Sequence, residues 1–171
     1  SAPGGDFLAA LCRDWEAETA LGMEFGARVV NLRFGIILAA HGGALPRMAL
    51  PFKFGAGGRI GSGRQWMSWL TLAESVAMVH FAIANPQLTG PVNAVTPNPV
   101  QNSEFTRVLA KTLRRPALFP APAFALRLAL GEVADALLLS SQRVVPSKLE
   151  QSGYNFARPE LAKALADIYQ E

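Results

Sequence analysis

Apolar positions fall into short blocks whose spacing changes from helical to extended and back. Phe7, Leu8, Leu11, Cys12 and Trp15 recur at helical spacing, which predicts a helix over 7–21 with Asp6 as its N-cap. ARVVNLRF (27–34) is short, β-rich and nearly all apolar around Asn31, the pattern of a fully buried strand. Gly35 and the IIL that follows extend or end it. HGGALPRM (41–48) predicts a loop leading into a short helix, and residues 69–72 a short strand or entry segment. Thr71 and Glu74 have the spacing of a capping box before a helix over AESVAMVHFAIA. Residues 90–97 predict a strand and turn, and 102–116 a capped amphipathic helix stopped by Pro116. The apolar run from 120 to 139 predicts a helix, with Gly131 a candidate break. Residues 146–156 predict a short helix, a glycine stop and an extended tip. Pro159 starts a last helix whose Leu161, Ala164, Leu165 and Ile168 face inward.

A helix followed by a buried strand is α/β grammar, with a parallel sheet. One such alternation does not build a sheet, and strand 27–34 needs neighbours that the pattern does not clearly supply. The chain also begins Ser-Ala-Pro-Gly-Gly, without Met or a basic-then-apolar leader. These features predict the tail of a longer protein with no visible secretory signal. No internal repeat or low-complexity segment interrupts the pattern.

Composition narrows the function classes. The chain has 171 residues and half are hydrophobic, enough for one domain with a sizeable core. Mean hydropathy is +0.21, which raises the question of a membrane. The most apolar stretch, 123–139, contains Arg127, Glu132 and Asp135, so no membrane span is expected. The single cysteine, Cys12, cannot form an internal disulfide, which makes a reducing cytoplasm the expected compartment. Net charge is +3 and the basic residues are scattered, so no nucleic-acid partner is expected.

The candidate chemistry concentrates in GAGGRIGSGRQWMSWL (55–70). Gly58 to Gly63 has phosphate-loop spacing, but Arg64-Gln65 follows where Lys and Ser/Thr are needed. The dinucleotide pattern G-x-G-x-x-G does not fit either, and no helix opens directly behind. Two readings remain: a flexible loop, or a pocket edge where Arg64 and Gln65 offer donors beside Trp66 and Trp69. His41 and His80, with Cys12 remote, have no metal-ligand spacing, so no metal is expected. The nucleophile pattern G-x-S-x-G is absent. His80 and Cys12 read as packing residues on apolar helices, and Met23, Met48 and Met78 as core. Arg114-Arg115 suits a helix C-terminus.

In order, DFLAALCRDWE, VVNLRFGIIL, HGGALPRM, GSGRQWMSWL, GPVNAVTPNPVQNSEF and RVVPSKLEQSGYNF with ELAKAL resemble the C-terminal half of one family. These are the epimerase-like extended short-chain dehydrogenase/reductases, often labelled nucleoside-diphosphate-sugar epimerases, which end in a small domain of unknown function. The resemblance covers essentially the whole chain. It implies an α/β fold in which residues 1–40 are the last helix and strand of a Rossmann domain. Residues 41–171 are then a small mixed α/β substrate-binding and C-terminal domain. It implies NADP(H) in the full-length protein, with the phosphate-binding glycines upstream of Ser1, so that this stretch alone would not bind the cofactor tightly. It also implies a small-molecule substrate, and allows a homodimer through the helix matching 7–21.

Carried over by position, the cofactor contacts fall on Arg33, Phe34 and Gly35, where a strand ends beside the nicotinamide. The substrate contacts fall on Leu45, Arg64, Gln65, Trp66 and Trp69. No catalytic residue carries over. Glu16 matches the family's acidic place, which sets the Tyr-x-x-x-Lys places on Leu8 and Cys12, and a leucine has no proton to give. Ile36 stands where many relatives have an asparagine toward the substrate diphosphate. Gln65 matches the G-x-G-x-Q-x-R-D stretch, but its Arg and Asp fall on Met67 and Ser68, and the later Asp on Glu74. Arg64 substitutes as an anion contact if the loop turns it inward. The resemblance thus implies an NADP(H)-binding, epimerase-like oxidoreductase with an atypical site. A non-catalytic, dinucleotide-dependent sensor or binding protein is the alternative.

Overall fold

The computed structural model describes residues 7–131, 135 and 139–170. The chain runs α1 (Phe7–Glu18), α2 (Ala20–Glu24), β1 (Val30–Phe34), β2 (Ile36–Leu38), α3 (Ala44–Lys53), β3 (Trp66–Met67) and β4 (Trp69–Thr71). It continues through α4 (Leu72–Ala84), β5 (Gly90–Ala94), β6 (Val100–Gln101), α5 (Asn102–Leu113), α6 (Ala123–Leu130), α7 (Ser147–Gln151) and α8 (Leu161–Ile168).

Strand 27–34 and the IIL after it form one extended run that changes partner at Gly35. β1 pairs in parallel with β5, from Val30 opposite Gly90 to Phe34 opposite Ala94. β2 pairs in parallel with β4, Ile36 opposite Trp69. At the switch, Gly35 N–H donates to the Ala94 carbonyl (3.2 Å) and Ile36 N–H to the Ser68 carbonyl (2.8 Å). A Cβ on Gly35 would lie 2.5 Å from the Ser68 oxygen and 2.7 Å from a Val95 methyl, so only glycine passes here. The chain therefore supplies neighbours for this strand itself, from GPVNA and WLT. Segments of three to five residues carry too little alternation to announce that pairing. The pairing also crosses residue 40. β3 and β6 form a separate antiparallel pair, Met67 opposite Val100.

Two apolar clusters flank these strands. One packs α3, α5 and α8 around Trp69, with Leu45, Phe105 and Leu165 almost or wholly excluded from solvent. The other packs α4 and α7 on β1–β5 through Met78, Val92 and Leu149. A fully buried Leu or Phe side chain contributes about 1.5–3 kcal/mol. All four inward positions expected of α8 are buried. Arg28 ties the entrance of β1 to the end of α4, donating to the carbonyls of Ala82, Ile83 and Leu88.

Several local expectations change. The helix over 7–21 breaks at Thr19, whose hydroxyl donates to the Glu16 carbonyl (2.6 Å). Leu11, Cys12 and Trp15 are exposed along it, so Cys12 is not a packing residue within this chain; Asp6 lies outside the described residues. His80 is likewise exposed on α4, and Met23 is exposed, while Met78 is core. Thr71 does cap α4, accepting from Glu74 N–H (3.1 Å). The Glu74 carboxylate turns inward instead of completing the box: it is 2% exposed and serves residues 154–158. α5 begins without a side-chain cap, because Asn102 accepts from Ile60 N–H instead (2.8 Å). It ends at Arg114 in a left-handed conformation (φ 52°), two residues before Pro116. α6 closes at Gly131 (φ 60°), and the rest of the predicted 120–139 helix lies mostly outside the described residues.

Candidate functional site

The glycine stretch forms a ribbon laid alongside residues 117–121. Phe119 N–H donates to the Gly57 carbonyl (3.1 Å), Ala121 N–H to that of Arg59 (2.9 Å), and Gly61 N–H to that of Ala121 (2.8 Å). A Cβ on Gly58 would fall 2.0 Å from the Phe119 oxygen, so this glycine lets two backbones touch. A phosphate cradle needs free, converging backbone N–H groups. At the turn of this ribbon several of them are spent within the protein. Ile60 N–H goes to Asn102, Gly63 N–H to the Ile60 carbonyl (2.9 Å), Arg64 N–H to Ser62 Oγ (3.3 Å) and Trp66 N–H to Ser141 Oγ (3.0 Å).

The turn of this ribbon borders an open concavity of about 440 Å³. Arg64 and Gln65 reach it from the ribbon, Arg127 from α6, and Ser141 from the segment beyond. Gln65 is buried and its Nε2 donates to the Ile60 carbonyl (3.0 Å), which props the turn from within. Arg64 is exposed, and its guanidinium makes no ion pair among the described residues. Arg127 is paired with Asp135, with three contacts of 2.8–3.1 Å. That hydrogen-bonded guanidinium holds the Asp135 carboxyl below its ordinary pKa. Trp66, next along the chain, is half-buried with the Arg143 guanidinium 4.7 Å from its ring centre, and it does not line the concavity.

The other carried-over positions lie apart. Trp69 and Leu45 are fully buried in the first cluster, and Trp69 Nε1 donates to the Asn98 carbonyl (3.0 Å). Neither offers surface to a ligand in this chain. Ser68 anchors a strap: its hydroxyl donates to the Gln142 carbonyl and accepts from Val144 N–H, both at 2.9 Å. Arg127 and Ser141 line the concavity without any motif in the sequence pointing to them. For Arg127 the sequence signal is a lone arginine inside the apolar FALRLAL.

At the end of β1, Arg33 makes a two-pronged bond to Glu16 of α1, both prongs at 2.6 Å. The bond keeps Glu16 ionised below its ordinary pKa and raises that of Arg33. Phe34, the last residue of β1, is 43% exposed. Among the described residues no group of three or more His, Cys, Asp or Glu could hold a metal. None of their helices is long and apolar enough to cross a membrane.

Residues 121–168 match the family model described as a domain of unknown function, DUF1731. Over 162 residues the chain is 47% identical to the epimerase family protein Mb2239 of Mycobacterium bovis, covering 95% of this chain and 54% of that protein. The chain spans about half the length of the curated relatives it matches. Its fold is similar to that of human epimerase family protein SDR39U1, isoform 2, solved with NADPH. The TM-score is 0.91 at 34% identity, over 99% of this chain and 58% of that one. A nucleoside-diphosphate sugar epimerase from Corynebacterium glutamicum matches at TM-score 0.77 and 37% identity, over 97% of this chain and 31% of that one.

Proposed function

We propose that this chain, which corresponds to the C-terminal half of an epimerase-like extended short-chain dehydrogenase/reductase, forms the substrate side of an NADP(H)-dependent oxidoreductase or epimerase with an atypical site. The observation that carries the reading is the likeness over 99% of the chain to a structure solved with NADPH.

The residues here fit the nicotinamide end of such a cofactor in part. Phe34 offers an exposed flat ring at the end of β1, whereas Gly35 beside it is packed against the Ser68 carbonyl and Val95. Arg33 is already held by Glu16, so its contribution is to fix α1 against β1. The turn of the glycine ribbon is a poor cradle for the cofactor's phosphates, because the N–H groups of Ile60, Gly61, Gly63 and Arg64 are occupied. NADP(H), when bound, supplies hydride transfer. This chain's own part is to hold the substrate: Arg64 binds an anionic group, with the Ser62 and Ser141 hydroxyls beside it. A nucleoside-diphosphate sugar has such a group.

In this reading residues 1–40 close the dinucleotide-binding domain and 41–171 carry the substrate domain, with β4 and β5 returning to pair with β1 and β2. A homodimer through α1 would cover the exposed Leu11 and Trp15.

The second reading is a dinucleotide-dependent binding protein without chemistry. Leu8 and Cys12 favour it, since neither replaces the family's tyrosine and lysine. Titrating the full-length protein with NADPH should give saturable enhancement of nicotinamide fluorescence; no change would refute both readings. Hydride exchange with a sugar nucleotide or carbonyl compound, lost in Arg64→Ala, supports the enzyme. NADPH binding without any exchange supports the binding protein.

A further inference from the structure

A second concavity, of about 490 Å³, lies between α5 and residues 117–120 and shares no lining residue with the first. Its volume is in the range of small-molecule sites. Arg59, Arg107, Ser103 and Thr106 line it together with the apolar Ala110, Ala117, Leu118 and Pro120.

Both cations are loosely held. Arg107 faces Glu104 at 3.8 Å, with both side chains more than half exposed, a pair that solvent screens. Arg59 is exposed and donates one long bond, 3.2 Å, to the Ser62 carbonyl. That bond links the two concavities, because Ser62 lines the first and Arg59 the second. The stem of Arg59 also lies against the turn: a Cβ on Gly63 would be 3.3 Å from its Cδ.

We propose that this groove is a second binding site, for a small molecule with an anionic headgroup on a compact apolar body, and that its occupation adjusts the first site through Arg59. Arginines and hydroxyls recognise a phosphate or carboxylate head, and the apolar lining residues contact the body. An anion that draws Arg59 away releases the Ser62 carbonyl and loosens the Ser62–Gly63–Arg64 turn. Binding in the groove stands independently of the proposed function; only the consequence for substrate rests on that reading.

The test is a titration of the protein with phenyl phosphate, followed by amide chemical shifts. Saturable shifts are expected at Ser103, Thr106, Arg107 and Leu118, with a dissociation constant below about 1 mM. Gly63 and Arg64 should move in step. Arg107→Gln, a substitution at an exposed position, should weaken binding about tenfold. Arg59→Gln should weaken it similarly and displace the Gly63 and Arg64 signals before ligand is added. The site is overturned if shifts do not saturate by about 10 mM, if they are confined to the concavity lined by Arg64 and Ser141, or if Arg107→Gln leaves affinity unchanged. Binding that leaves Gly63 and Arg64 unmoved overturns the coupling.

Discussion

Glu74→Gln probes the buried carboxylate on which the C-terminal segment hangs. Glu74 is 2% exposed at the start of α4. One oxygen accepts from the Tyr154 hydroxyl (2.5 Å) and from Ala157 N–H (3.4 Å), the other from Arg158 N–H (3.1 Å). Tyr154 in turn packs edge-on against Phe81 and Phe156, at 5.1 and 5.0 Å between ring centres. Glutamine keeps one acceptor and turns a donor toward another donor. Losing one charged hydrogen bond costs about 1.5–3 kcal/mol, and removing the charge weakens the two that remain. A total near 3 kcal/mol follows, and at this chain length about 2–4 °C is lost per kcal/mol, so melting should fall by about 6–12 °C. Tyr154→Phe removes one bond and should cost about 1–2 kcal/mol. Combined with Glu74→Gln it should show a coupling of about 1 kcal/mol, since the two side chains touch. Thermal unfolding followed by circular dichroism reads all three variants. If Glu74→Gln melts within about 2 °C of the parent, the carboxylate is solvated and the reasoning fails.

Burial, and then the bond to Glu74, raise the Tyr154 phenol above its ordinary pKa. A raised folded value gives stability that is present below about pH 10 and lost as pH rises above it, so Tyr154→Phe should flatten the alkaline loss seen in pH-dependent melting. Glu16 has the opposite sign: its bond to Arg33 lowers its pKa, giving stability that is present above the ordinary glutamate value and lost as pH falls through the lowered one. Carboxyl carbon shifts should place its midpoint below about 4.3, and Arg33→Gln should return it there; an unmoved midpoint counts against the pair. That pair is partly exposed, so Arg33→Gln should cost less than about 1 kcal/mol. Gly58→Ala forces a methyl into the Phe119 carbonyl and should cost about 1–3 kcal/mol, with faster amide exchange at Phe119 and Ala121. Unchanged melting would mean that the ribbon and 117–121 are not joined in solution.

Local order was legible where apolar spacing is long enough to count. Strand 27–34, the helix after Thr71 and the inward face of α8 all appear with small shifts of boundary. The family resemblance was legible because its motifs run along the whole chain. The candidate site was legible in pieces. Arg64 and Gln65 do border a concavity, whereas Trp69 and Leu45, chosen for position in a motif, are buried in the core. Aromatic and apolar residues read alike in sequence whether they line a pocket or fill a core. Only their neighbours distinguish the two roles.

The amino-acid sequence by itself determined the α/β character and most helices, because turn chemistry and apolar period depend on residues a few places apart, and its motifs carried the family resemblance. Tertiary structure alone decided the partners. Gly35 hands one extended run from β5 to β4, Ser68 holds a strap 74–76 residues away, and Glu74 meets Arg158 across 84 residues. It also decided the meaning of the glycines in 55–63. Their spacing suggested a phosphate loop, but the N–H groups of Gly55, Ala56, Ile60, Gly61 and Gly63 are committed to the protein's own acceptors. Donor commitment over such separations follows from which segments fold against each other, and no local pattern encodes it.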